Sequence, residues 1–286
     1  MLTPLFLPSS TALDKSSSHT QNRRRARPKH GLAYYSTLSL VSFSVIMVAW
    51  LILSYGAGVS HVFLPPPHTV IQALVDMAQS GILAMYTWIS VQRVMIGWGL
   101  SVLIALPLGM LIATSPVVRA LIQPITEFIR YLPVVALVPL TLLYFGIGEE
   151  QKYAIIFLGT FFQLLLMVVD TVSSVDRTLL NSASTLGANR RQRYFSVLLP
   201  AALPGLLDDM RLTVGWAWTY LVVAEMVAAN AGLGYLVLKS QRFLATDDIF
   251  AGLLVIGLVG LLTDRLFALI TKLAVPWHER LSDQRG

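Results

Sequence analysis

No cysteine occurs anywhere in the 286-residue chain, which removes disulfide frameworks, thiolate metal sites and cysteine nucleophiles. The redox compartment is left open by the same absence. Charge is scarce as well: Asp, Glu, Lys and Arg make up 13%, about half of the ~25% usual in soluble domains. The few ionisable groups must therefore sit in loops or at special positions inside apolar segments. Signatures of catalysis are missing, since there is no G-x-x-x-x-G-K-[ST] phosphate loop, no H-E-x-x-H and no G-x-S-x-G elbow. The histidines, His19, His30, His61, His68 and His278, have no ligand spacing. Neither an enzyme, a metal site nor a resident cofactor is expected, and any ATP dependence must come from another chain.

What is abundant is apolar. Hydrophobic side chains make up 55% of the chain and mean hydropathy is +0.68, so a bilayer is the natural solvent. Apolar runs lie at 37–56, 89–114, 125–145, 153–172, 212–229 and 249–275. Each approaches the ~20 residues that a helix rising ~1.5 Å per residue needs to cross a ~30 Å hydrocarbon core. The first run is longer than a signal-peptide core and lacks a small-residue cleavage pattern, so it reads as a retained span. Phe63-Leu64-Pro65-Pro66-Pro67 cannot continue a helix. After it, Val70, Ile71, Leu74 and Met77 keep the period of a short amphipathic helix at the outer interface. The fold class read from this pattern is an all-α membrane protein with six spans.

The formal net charge of +6 is a topology signal. Six Lys and Arg lie in residues 1–30, then come Arg119, four between Arg177 and Arg193, and Lys272, Arg280 and Arg285; the alternate loops hold only Lys152, Lys239 and Arg242. That bias places both termini in the cytoplasm. No aromatic-interleaved basic groove accompanies it, so nucleic acid is not an expected partner. The domain reading is a basic cytoplasmic tail without a fold at 1–30, the first span with its outer loop and interfacial helix at 31–85, a main bundle at 86–272 and a cytoplasmic carboxyl end at 273–286. A cytoplasmic loop at 173–209 interrupts the bundle.

Within that loop runs Asn181-Ser182-Ala183-Ser184-Thr185-Leu186-Gly187, then nine residues, then Val197-Leu198-Leu199-Pro200. Glycine permits a turn between two short helices, and Pro200 is expected to stop the second before the chain re-enters the membrane. Between them, Asn189, Arg190, Arg191 and Arg193 make a cationic surface that suits a groove on a partner. The segment resembles the EAA loop of ABC-importer permeases, whose pattern is E-A-A, three residues, G, nine residues, I-x-L-P. Asn181 and Ser182 stand in place of the pattern's Glu and first Ala; Asn keeps helix-capping ability and loses the charge.

The resemblance extends over about residues 60–275. Phe63-Leu64-Pro65, Arg93 with Gly97, Pro107-Leu108-Gly109, Pro124, the run Pro133 to Leu140, Phe145-Gly146-Ile147-Gly148-Glu149, Ala217-Trp218, Ala224-Glu225-Met226 and Gly232-Leu233-Gly234-Tyr235 are similar to permeases of the nitrate, sulfonate, taurine and bicarbonate group. The resemblance implies a six-span type I ABC importer fold, with the transmembrane permease domain at 86–272. It implies two ATPase subunits carrying ATP and Mg, a second permease copy as a homodimer, an extracytoplasmic solute-binding protein and a bacterial cytoplasmic (inner) membrane. The coupling residues it implies are Asn181, Ala183, Gly187, Asn189, Arg190, Arg191, Arg193, Leu199 and Pro200.

Candidates for the pathway or its gate are Arg130, Pro133, Pro139, Trp216, Trp218, Tyr220 and Glu225. Pro133 and Pro139 break the third span, and freed carbonyls are tolerated where they line a cavity. Arg130 attracts an anion or snorkels to the interface. A carboxylate in the pathway repels anionic cargo, so Glu225 reads as a structural or gating group, with Arg130 or Arg211 as its partner. Arg93, near the outer end of the second span, reads as an interface anchor ahead of a group that helps admit an anion, and Asp264 and Arg265 read as pairing with neighbouring helices. The alternative function is an ion-gradient-driven carrier, for which Glu225 and Asp264 make a poor relay.

Overall fold

The computed structural model describes residues 32–56 and 60–276; the expected tail at 1–30 and the carboxyl end beyond 276 lie outside the described residues. The chain divides into two compact units, 1–48 and 49–286. The first holds most of α1 (Leu32–Tyr55), and the second holds the other elements.

Among the described residues every regular element is helical. Four helices are long and apolar enough to cross a membrane: α1, α3 (Ile82–Thr114), α6 (Glu149–Ser173) and α11 (Thr246–Ala274). Two bent pairs qualify as wholes. In one, α4 (Pro116–Ile129) meets a 3-10 turn (Val134–Leu137) and α5 (Val138–Phe145) at 89°. In the other, a helical path from α8 (Arg190–Gln192) through α9 (Leu199–Ala228) meets α10 (Leu233–Arg242) at 50°. Counting each pair once gives six spans. The second begins seven residues before its apolar run, because Ile82 to Trp88 form its first two turns.

The core runs along α6, whose Ile156, Leu164, Leu165 and Val168 are buried against α3 and α9, while its Ile155 packs with Val138 of α5 and Ala224 of α9. Lipid tails are as apolar as leucine, so close fit must supply what hydrophobicity supplies in water. Two glycines of α3 allow that fit: a Cβ on Gly97 would lie 2.7 Å from Ile156 Cβ, and one on Gly109 2.6 Å from Val168 Cγ1. Between them, the Ser101 and Thr160 hydroxyls share a 2.7 Å hydrogen bond. By contrast α11 is mostly uncovered, as befits a helix facing lipid or another chain.

Two expectations change. The amphipathic helix forms as α2 (Pro67–Gln79), but its buried face is Val70, Ala73 and Met77, packed with Leu236 of α10 and Ala251 of α11, while Ile71 is exposed. Val70, Ala73 and Met77 are thus covered by protein, while Ile71 and Val75 stay exposed. Pro200 does not stop a helix either. The chain passes from α8 through a π-helical segment (Arg193–Leu198) straight into α9, where Pro200 occupies the first turn. The Leu199 N–H reaches back to the Tyr194 carbonyl, and this widened turn accommodates a residue that has no N–H and crowds the preceding turn.

Candidate functional site

The break in the third span shapes one cavity of about 420 Å³. Proline at 133 restricts the residue before it and starts the 3-10 turn, so the chain turns sharply between Ile129 and Val134. The opened concavity is lined by Arg130, Tyr131 and Pro133 from the break, Phe162 and Gln163 from α6, and Trp216, Thr219 and Tyr220 from α9. Among the described residues Arg130 is its cation, and no carboxylate lines it. The guanidinium lies 4.9 Å from the Tyr131 ring centre and donates to the Tyr131 hydroxyl at 3.0 Å, so it is held beside the cavity by its neighbour. Gln163 and Thr219 add neutral hydrogen-bonding groups.

Of the pathway candidates, Arg130, Pro133, Trp216 and Tyr220 come together here. Trp218 does not: it points to the other side of α9, buried with Val94, Trp98 and Phe267. A two-residue step on a helix turns a side chain by roughly 200°, which separates Trp218 from its neighbours. Pro139 sits in the first turn of α5, where its missing N–H costs nothing, and the break lies upstream of it.

Glu225 also lies away from this cavity, and its partner is neither Arg130 nor Arg211. Arg93, only 4% exposed, donates to Glu225 Oε1 at 2.8 Å and to the Ala231 carbonyl at 2.6 Å. It also grips both oxygens of Glu149 at 2.6 Å each, in a bidentate pair. Glu225 accepts further hydrogen bonds from Ser90 Oγ at 2.7 Å and the Gly234 N–H at 2.6 Å, so the carboxylate spans the bend between α9 and α10. The interface-anchor reading of Arg93 therefore fails: a guanidinium with four acceptors around it has no need to reach water. An arginine isolated in an apolar run was the signal, and its partners lie 56 and 132 residues away. Arg211 instead takes Asp264 as a bidentate partner at 2.6 and 2.7 Å, joining α9 to α11. With both carboxylates held by arginines, neither offers a free proton-relay group.

The loop after α6 folds as two short helices at a sharp turn. Asp176 caps α7 (Arg177–Thr185) by accepting the Thr178 N–H at 2.8 Å, which holds its carboxyl below the usual carboxylate range. At the other end Ala188 N–H bonds the Ala183 carbonyl and Gly187 N–H the Ser184 carbonyl, each at 3.0 Å, a Schellman closure. Gly187 stands at φ +84°, a conformation that any Cβ strains. Asn189 then caps α8 reciprocally with Gln192, two hydrogen bonds of 2.9 Å. Asn181, Asn189, Arg190 and Arg191 are exposed, Arg193 is half-buried and donates to Ser184 Oγ at 2.9 Å, and Leu199 and Pro200 open α9. The residues read from sequence as the coupling element thus lie on one helix–turn–helix segment, with Leu199 and Pro200 where it joins α9 and Leu199 packed against the core.

A family model described as "binding-protein-dependent transport system inner membrane component" matches residues 105–276. Over 260 residues the chain is 34% identical to the taurine transport system permease protein of Escherichia coli K12, covering 89% of this chain and 94% of that one. It is 32% identical over 258 residues to a putative aliphatic sulfonates transport permease protein of Bacillus subtilis 168, covering 90% and 94%. To the nitrate import permease protein of a Synechocystis species it is 26% identical over 276 residues, covering 92% and 99%. Among solved structures, the inward-facing MetNI methionine ABC transporter aligns with a TM-score of 0.61 at 21% identity, covering 69% of this chain and 98% of that one, a likeness of fold.

Proposed function

The chain belongs to the binding-protein-dependent transport system inner membrane components and is a permease subunit of an ABC importer, and from that premise we propose that its cargo is a small oxyanion or zwitterion of the nitrate, sulfonate, taurine or bicarbonate type. The observation that carries this reading is the cavity at the broken span, where, among the described residues, Arg130 is the charged lining residue and no carboxylate opposes it. A guanidinium presents paired donors to an oxyanion, and Gln163 and Thr219 supply neutral ones. Trp216 and Tyr220 are large enough to close the cavity when the bundle rearranges.

In this reading two copies of the chain form the pathway, both termini lie in the cytoplasm, and the membrane is the bacterial cytoplasmic one. Two ATPase subunits, which bind ATP and Mg, dock on the α7–α8 protrusion, and an extracytoplasmic binding protein delivers solute. Because α8 runs without interruption into α9, a pull on the protrusion moves the helix that carries Trp216 and Tyr220.

The test is uptake into vesicles reconstituted with the ATPase and binding-protein partners, supplied with nitrate, taurine, an alkanesulfonate and bicarbonate in turn. Arg130→Gln is expected to raise the KM for the transported anion about tenfold or more, the size of a lost charged hydrogen bond, while ATPase docking persists. Unchanged KM and rate in that variant would overturn the assignment of the cavity.

A further inference from the structure

A second cavity, of about 570 Å³, opens between the loop and the ends of the spans. Four arginines line it: Arg119 from α4, Arg177 from α7, Arg190 from α8 and Arg193 from the π segment. No carboxylate is among its lining residues, and none of the four makes an ion pair among the described residues. Arg119 is fixed by hydrogen bonds to Ser173 Oγ at 2.6 Å and the Ala113 carbonyl at 3.4 Å. Arg193 is fixed at one Nη by Ser184, while its Nε is shielded from solvent and makes no hydrogen bond. Asp176, the acidic neighbour of Arg177 in sequence, spends its carboxylate on the α7 cap. Four like charges held around one concavity repel one another unless an anion enters.

The depth and the remaining lining narrow the chemistry. Thr114 and Ser173, the last residues of α3 and α6, are among its lining, so the cleft lies at the ends of two helices long and apolar enough to cross a membrane. Val172, Val175, Leu180 and Leu198 supply an apolar wall. We propose that this cleft binds a phosphate-type oxyanion, presented by an anionic lipid headgroup at the bilayer surface or taken up as free phosphate. A tetrahedral oxyanion accepts from several guanidinium groups at once, and a lipid also has acyl carbons to lay on the apolar wall. An occupied site would brace α4, α7 and the π segment against one another just where the protrusion joins the bundle. The proposal is independent of which solute the permease carries.

The complete complex is placed in nanodiscs of phosphatidylcholine alone or mixed with phosphatidylglycerol, and retained lipid is counted by native mass spectrometry after release. Arg119→Gln with Arg177→Gln is the informative variant, because both line the cleft and neither is among the residues read as docking the ATPase; Lys239→Gln with Arg242→Gln, at the end of α10, is the control. Retention of phosphatidylglycerol by wild type and control is expected, with apparent affinity falling about fivefold for each cleft arginine removed. In the parallel arm, inorganic phosphate is titrated into phosphatidylcholine discs while thermal stability is followed. Stabilisation there that the double variant lacks, without selective lipid retention, supports the same site with free phosphate as its source. Equal lipid retention and phosphate response in wild type and cleft variant would overturn the proposal. So would a crosslink placing a carboxylate of the ATPase partner among the four arginines in the assembled complex.

Discussion

Arg93 and Glu225 meet at 2.8 Å with side-chain exposures of 5% and 0%, and their contact ties α3 to the bend at which α9 gives way to α10. Glu149, at 45% exposure, completes the arginine's fork from the start of α6. Three elements that do not adjoin in sequence are thereby fixed at one point. Removing one member of a buried pair leaves the other uncompensated, at about 3–5 kcal/mol. Arg93→Met is accordingly expected to lower the melting temperature of the purified permease strongly, and Glu149→Gln much less, because its carboxylate is partly exposed. Adding Glu225→Met to Arg93→Met should restore part of the loss. Thermal melts of Arg93→Met, Glu225→Met and the double variant check this, and strictly additive losses would mean that the pair is not coupled.

Gly187 is a conformational requirement rather than a spatial one: nothing lies within 4 Å of where its Cβ would be, yet φ is +84°. An L side chain there costs about 1–2 kcal/mol. Gly187→Val should shift the α7–α8 turn and lower the ratio of solute moved to ATP hydrolysed in reconstituted complexes. Gly187→Asn, which tolerates the left-handed region, should keep most of that ratio. Equal coupling in Val and Asn variants would show that the turn geometry is unimportant.

At Gly109 the constraint is reversed, since a Cβ would sit 2.6 Å from Val168 Cγ1. Gly109→Leu forces α3 away from α6, and overpacking of this kind typically costs about 1–3 kcal/mol. A second change, Val168→Ala, vacates the contact and is expected to return part of the stability. Melting of the single and double variants reads the outcome.

Protonation of Asp176 removes an acceptor from the first turn of α7. Its folded-state pKa is lowered, so its contribution is present above the ordinary carboxylate range, about pH 4, and is lost as pH falls through the depressed value. Hydrogen exchange at the Thr178 amide should accelerate over that window beyond the intrinsic pH trend. Asp176→Asn, which caps without titrating, should flatten the pH dependence, and Asp176→Ala should expose the amide throughout.

Much of the site was legible in one dimension because its signals are local. Gly187 located the turn between α7 and α8, since a left-handed turn depends on one residue's backbone, whereas Pro200 was misread as a stop because a proline in a first helical turn and one beyond a helix end look alike in sequence. Pro133 located the broken span for the same reason as Gly187. Trp218 was misplaced beside Trp216 because closeness in sequence says nothing of which side of a helix meets which neighbour. The partner of Glu225 was missed because 132 residues separate it from Arg93.

By itself the sequence determined that this chain lives in a bilayer, how many apolar segments cross it, where a cationic loop interrupts them and which family the pattern resembles; hydropathy, proline and glycine act through their own backbone and need no partner to be read. Tertiary structure alone decided that Arg93 neutralises Glu225, that Arg130 faces a cavity with no carboxylate among its described lining residues and that four arginines surround another. Such pairings are fixed by helix rotation and by distances across the bundle, quantities that no local period encodes.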